Sequence, residues 1–100
     1  ARIINVSSGM GQLSQMDSGY PAYRISKTSL NVITKLIAEE LKENTNISIN
    51  AVCPGWVKTD MGGARAPKSV TEGADTIVWL ALMENPPTGS FFRERQKIEW

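Results

Sequence analysis

The sequence has no histidine and a single cysteine, Cys53. The first absence excludes histidine-based catalytic triads and most zinc sites; the second excludes an internal disulfide. An excess of one charge sign is also missing. Eleven Lys and Arg stand against ten Asp and Glu, a balance that offers no field to steer nucleic acid or an anionic membrane. No apolar run approaches the roughly 20 residues of a membrane span. The opening Ala1-Arg2-Ile3-Ile4 is too short, and too soon polar, to be a signal peptide. What remains is the composition of ordinary soluble protein, 41% hydrophobic and 21% charged, with length for one small domain. Cys53 lies in an apolar run and is expected as a buried rather than a reactive thiol, which fits a reducing, cytoplasmic setting.

The chain opens directly on a strand pattern, with no Met, turn or cap before it. It therefore reads as cut at its N-terminus, with something else pairing on that strand. Ile3-Ile4-Asn5-Val6 is a short β-type run ended by Ser7-Ser8-Gly9, and residues 9–21 read as a loop. From Ala22 to about Lys42 the pattern is helical, with Ile25, Val32, Ile33, Leu36, Ile37 and Leu41 gathered toward one side. Asn44-Thr45-Asn46 stops that helix. Ile47–Cys53 is a second strand rich in β-branched residues, broken by Pro54-Gly55, and 56–68 is a loop. Ser69 with Glu72 forms a capping-box pattern ahead of a helix carrying Val70, Ala74, Ile77, Leu80 and Ala81 up to about Met83. Asn85-Pro86-Pro87-Thr88-Gly89 is a stop, Ser90-Phe91-Phe92 a final strand, and Arg93, Glu94, Arg95 and Lys97 a solvated tail. Strands alternating with helices predict an α/β fold with a parallel sheet.

Tyr23 and Lys27 are four apart near a helix start, so their side chains share a face. An ammonium beside a phenol favours the phenolate and makes a proton donor or acceptor usable nearer neutral pH. Taken alone, the pair equally describes a surface tyrosine packed on a lysine stem. Its context adds weight. Asn5-Val6-Ser7-Ser8 and Cys53-Pro54-Gly55-Trp56-Val57-Lys58-Thr59-Asp60 both lie at strand ends, and open α/β sheets bind ligands outside the carboxyl ends of their strands. A serine hydroxyl there can hydrogen-bond a substrate carbonyl, or simply satisfy a turn. Pro54-Gly55 can likewise be an ordinary strand terminator.

These three ordered segments, Asn5-Val6-Ser7-Ser8, Tyr23-Arg24-Ile25-Ser26-Lys27 and Pro54-Gly55-Trp56-Val57-Lys58-Thr59, resemble the motif set of the short-chain dehydrogenase/reductase family. Cys53 to Met61, Glu72-Gly73-Ala74-Asp75 and the run to Trp100 resemble its carbonyl-reductase-like branch. The likeness covers the whole chain, but only the C-terminal part of a typical member. It implies part of a Rossmann-type, doubly wound parallel sheet, and an oxidoreductase that reduces a ketone or aldehyde with NADPH (NADH being possible), or runs the reverse reaction. By the same resemblance Tyr23 is the general acid. Lys27 binds the nicotinamide ribose and favours the ionised phenol, and Ser8, rather than Ser7, holds the substrate oxygen. Pro54, Gly55 and Val57 line the nicotinamide, with Thr59 near its carboxamide or the adjoining phosphate. Trp56 is a pocket wall or packs its own loop.

The sequence departs from the family in two respects. Fourteen residues, 9–22, separate Ser8 from Tyr23, more than is usual, so a small insertion enters around Gln15-Met16-Asp17. Tyr20 fits the shorter spacing, but position 24 is Arg, so Tyr23 is retained. There is also no glycine-rich fingerprint: Gly9-Met10-Gly11 follows a strand without leading straight into a helix. The dinucleotide-binding half and the family's upstream active-site asparagine are thus expected to be absent. The isolated chain is expected to have little or no activity, with an apolar sheet edge exposed. The competing reading is a truncated, non-catalytic module that pairs through that edge or the Tyr23 helix. Among other residues, Trp79 is expected in the core and Trp100 at a subunit or substrate-facing surface. Asn5-Val6-Ser7 matches a glycosylation acceptor that a buried strand would not use. Oligomeric state and the particular carbonyl substrate are left open by the sequence.

Overall fold

The computed structural model describes residues 1–44 and 46–100. Three parallel strands, β1 (Arg2–Val6), β2 (Ser48–Val52) and β3 (Phe91–Arg93), are joined by the helices α1 (Pro21–Glu40) and α2 (Val70–Leu82). A short fourth strand, β4 (Gln96–Ile98), turns back antiparallel on β3, giving the order β1-β2-β3-β4. The helices cover opposite faces. On β1, Asn5 hydrogen-bonds Thr34 of α1, whereas its neighbour Ile4 packs with Leu80 of α2, and successive strand residues point to opposite sides. This is the expected α/β, Rossmann-type arrangement with one additional strand.

The core lies on both sides of β2, whose five residues are all buried. Toward α1 the core holds Ala51, Cys53 and Phe91, with Ile98 and Trp100 against them. Toward α2 it holds Val52, Leu80 and Phe92, with Ile77 and the half-buried Trp79 beside them. Cys53 is a buried free thiol, as its apolar run predicts. The buried amide of Asn50 is satisfied by the Pro87 carbonyl and the Ser90 N–H, which ties the proline-rich stop to the central strand.

Pro21 occupies the first turn of α1, where a missing N–H costs nothing, behind a left-handed Tyr20 (φ 50°). At its other end α1 passes Leu41 into turns; within the expected stop Asn44-Thr45-Asn46, Thr45 lies outside the described residues. The Ser69–Glu72 capping box forms as expected on α2, and the Ser69 backbone N–H holds the Glu72 carboxyl below the usual glutamate range. The apolar stripe of α1 points outward: Ile25, Val32, Ile33 and Leu36 are exposed. The inward side carries Asn31, Thr34 and Ala38, small or hydrogen-bonded side chains.

The expected solvated tail is instead a hairpin. Its two-residue turn places Glu94 and Arg95 at φ 49° and 61°, a conformation usually signalled by Asn-Gly. Tertiary contacts hold it here. Arg95 makes a bidentate pair with Asp75 of α2 at 2.7 and 2.8 Å, and its backbone N–H donates to Thr76. Trp100 stacks on Phe91 with centroids 5.2 Å apart, so it packs within this chain. The Arg95 guanidinium holds the Asp75 carboxyl below the usual aspartate range. A depressed folded-state value stabilises the fold above the ordinary aspartate value of about 3.9 and loses that contribution as pH falls through the folded value. Asp75→Asn should therefore be slightly less stable than the parent sequence near neutral pH, with the gap closing in acid. Urea unfolding of both proteins across that range checks this; a gap unchanged at about pH 2 would assign the effect to packing.

Candidate functional site at the carboxyl ends of the parallel strands

Because β1 and β2 are parallel neighbours, the segments that follow them emerge side by side. They are also joined directly. The Ser7 N–H donates to the Val52 carbonyl at 2.7 Å, and the Gly9 N–H to the Cys53 sulfur at 3.2 Å. Ser8 caps a 3-10 turn over Gly9–Gly11, its hydroxyl accepting from the Met10 N–H at 3.1 Å. It is half-buried, while Ser7 is fully enclosed. Both serines thus have local structural work, and Ser8 alone retains a side open to solvent.

Tyr23 and Lys27 occupy the first two turns of α1 and are half-buried on one face. The Lys27 ammonium reaches the last carbonyl of β1, that of Val6, at 3.2 Å, and lies 5.8 Å from the centre of the Tyr23 ring. Tyr20 is 73% exposed at the helix mouth. One turn along from it, Arg24 donates to the carbonyls of Met10, Ser18 and Gly19, so the Tyr20–Arg24 spacing serves the loop rather than an ion-paired phenol. The structure brings Ser8, Tyr23 and Lys27 to the end of one strand.

The segment after β2 is braced from beneath. Gly55 takes φ +83°, and an added Cβ would stand 3.0 Å from the Lys68 ammonium. That ammonium donates to the Pro54 carbonyl at 3.3 Å and pairs with Glu94 at 3.1 Å. Val57 and Lys68 form an isolated parallel bridge that pinches off the intervening loop. Within it the Thr59 hydroxyl accepts from the Gly62 N–H at 3.0 Å. Trp56 donates its indole N–H to the Gly62 carbonyl at 2.7 Å yet remains 56% exposed, so it both packs its loop and leaves an aromatic face free.

Further residues of α1 grip the Ser8 loop. Arg24 holds Met10, Thr28 donates to the Gly11 carbonyl, and Asn31 donates to the same carbonyl while accepting from Ser7. Sequence reasoning passed over Asn31, Thr28 and Lys68. For Asn31 a signal existed, since Tyr23, Lys27 and Asn31 fall at steps of four. A groove of about 580 Å³ lies not at Tyr23 but on the outward apolar side of α1, against Leu13, Met16, Ile25 and Val32. Among the described residues no group of His, Cys, Asp or Glu could hold a metal, and no helix is long and apolar enough to cross a membrane.

Parallel strands with helices on both faces, and polar groups converging where the strands end, define an α/β unit of the Rossmann type. The chain belongs to the short-chain dehydrogenase/reductase family: residues 1–70 match the sequence pattern of the family described as short chain dehydrogenase. Its relatives include carbonyl reductases. Carbonyl reductase [NADPH] 1 of Bos taurus is 42% identical over 90 residues, covering 82% of this chain and 32% of the relative. Carbonyl reductase Sniffer of D. melanogaster superposes with a TM-score of 0.87 at 37% identity, over 100% of this chain and 41% of that one. The NADPH-bound carbonyl reductase from chicken fatty liver gives 0.85 at 30% identity, over 100% and 43%. The chain thus spans about a third of the length of the curated relatives it matches.

Gly11 brings the Ser8 loop close against the backbone of α1. A Cβ there would stand 2.7 Å from the backbone carbonyl carbon of Lys27 and 2.8 Å from the Thr28 nitrogen. The helix backbone cannot yield, so Gly11→Ala should lift the loop and cost about 1–3 kcal/mol, read by denaturant unfolding. A neutral result would mean that the loop is not seated on the helix.

Proposed function

We propose that these residues form the catalytic portion of a longer NADPH-dependent reductase that converts a ketone or aldehyde to an alcohol, or runs the reverse oxidation. The observation that supports this reading most is that Lys27 reaches the last carbonyl of β1 beside the Tyr23 ring, while Ser8 caps the turn that follows the same strand. The dinucleotide-binding half is supplied by residues outside the chain described here, in keeping with relatives about three times its length.

The groups present suit the nicotinamide end of such a cofactor. The Lys27 ammonium has three donors, of which Val6 engages one, leaving donors for ribose hydroxyls. Pro54, Gly55 and Val57 offer a backbone surface free of bulky polar side chains, with the Thr59 hydroxyl beside it. When bound, NADPH supplies the hydride. The Tyr23 hydroxyl hydrogen-bonds the carbonyl oxygen and delivers its proton as negative charge develops there. Lys27 stabilises the phenolate left behind. Ser8 donates a second hydrogen bond to the same oxygen, orienting the carbonyl. Trp56 walls the substrate side with its free face. NADPH is favoured over NADH by the relatives, which include carbonyl reductase [NADPH] 1 of Bos taurus and the NADPH-bound reductase of chicken fatty liver. The free, buried thiol of Cys53 suits a cytoplasmic setting.

A second reading is a non-catalytic module that pairs through the exposed β1 residues Ile3 and Val6 or the outward stripe of α1. A monodisperse monomer on size exclusion counts against it. For the enzymatic reading, the complete polypeptide is assayed with NADPH against simple ketones and aldehydes. Tyr23→Phe is expected to lose roughly 10²–10⁴-fold in kcat with an unchanged circular dichroism spectrum. Normal turnover in that variant would falsify the assignment.

A further inference from the structure

We propose that Asn31 is a positioning residue that fixes the Ser8 hydroxyl relative to the Tyr23–Lys27 pair; this rests on reading those three as the active site. Asn31 lies one turn beyond Lys27 on α1 and is only 4% exposed. Its Oδ1 accepts from the Ser7 hydroxyl at 2.6 Å, and its Nδ2 donates to the Gly11 carbonyl at 3.2 Å. Ser7 immediately precedes Ser8, and Gly11 closes the 3-10 turn that Ser8 caps. One side chain on the Tyr23–Lys27 helix therefore pins the Ser8 turn at both ends.

Asparagine suits this task because it accepts at one atom and donates at the other. Aspartate loses the donor, leucine loses both groups, and glutamine displaces them by a methylene. The loop does not depend on Asn31 for attachment. The Ser7 N–H is bonded to Val52, Arg24 holds Met10, and Thr28 shares the Gly11 carbonyl. Removing the Asn31 amide leaves the loop in place but free to shift against α1, and small misplacements of reacting groups are costly in rate.

The test is steady-state kinetics on the complete polypeptide with NADPH and the best-reduced simple ketone. Variants are Asn31→Ala, Ser7→Ala, Ser7→Thr and the Asn31/Ser7 double alanine, with Tyr23→Phe in parallel. Each alanine variant should lose roughly ten- to hundredfold in kcat with little change in KM. The double variant should be no worse than the poorer single, since both changes remove one shared contact. Ser7→Thr, which keeps the hydroxyl, should restore most of the turnover. If Asn31→Ala does not fold, the contrast between Ser7→Ala and Ser7→Thr decides. A lower melting temperature with unchanged kcat per folded molecule overturns the proposal and leaves the active-site reading intact. A fully active Tyr23→Phe overturns both.

Discussion

The strand Ser48–Val52 has no exposed residue, and that constraint organises the rest. A strand buried on both faces needs ladder partners at both edges and a layer over each face. β1 and β3 supply the edges, α1 covers one face, and α2 covers the other through Ile77 and Leu80. Since the three strands run parallel, their carboxyl ends share one rim. Ser8, Pro54 and Arg93 each follow or end one of those strands, so residues far apart in sequence become neighbours there. The location of the candidate site follows from strand direction, before any particular side chain is considered.

The two sides of α1 divide its work. The outward side is apolar, with Ile25 66% and Leu36 59% exposed. The inward side depends on Asn31, Thr34 and Ala38. Fully burying a large aliphatic side chain is worth about 1.5–3 kcal/mol, whereas a neutral hydrogen bond contributes about 0.5–1.5 net. The inward choice therefore sacrifices bulk stabilisation. Its benefit lies in the asymmetry of hydrogen-bond energetics: leaving a buried partner unsatisfied costs about 1–3 kcal/mol, so displaced registers are penalised. An apolar inward face would slide over the sheet with less penalty, and the Ser8 turn would slide with it.

The parts of this architecture that local chemistry dictates were legible in the sequence. The β-branched run before Pro54, the Ser69–Glu72 capping box and the four-residue step from Tyr23 to Lys27 each state their structure within a few residues, and each element forms as expected. The direction in which α1 faces was not legible. Periodicity shows that apolar residues gather on a side, but not whether that side meets this sheet. The β3–β4 hairpin was hidden because Glu94-Arg95 is a poor turn sequence and its partners, Asp75, Thr76 and Lys68, lie 19 to 26 residues upstream. The brace beneath Pro54 was missed for the same reason: Lys68 follows it by fourteen residues and reaches it only through the Val57 bridge.

That hairpin carries an energetic question. Left-handed backbone at two non-glycine residues costs roughly 1–2 kcal/mol each, and the visible compensation is the Arg95–Asp75 pair. Both of its side chains are about half exposed, 54% and 48%, so water screens the attraction and the pair alone does not offset the turn. The Arg95 N–H to Thr76 bond adds about 1 kcal/mol, which still falls short. The remainder comes from what the turn makes possible. It returns the chain so that Ile98 and Trp100 cover Phe91, where burial of a large side chain brings about 1.5–3 kcal/mol and the aromatic pair about 0.5–1.5 more. The charges at the turn select its register, and the packing of Ile98 and Trp100 on Phe91 helps to keep it closed. Closure in turn places Glu94 against Lys68 and secures the ammonium under Pro54. In this way the last ten residues, which lie outside the three segments that resemble the family's motif set, support the loop that follows β2.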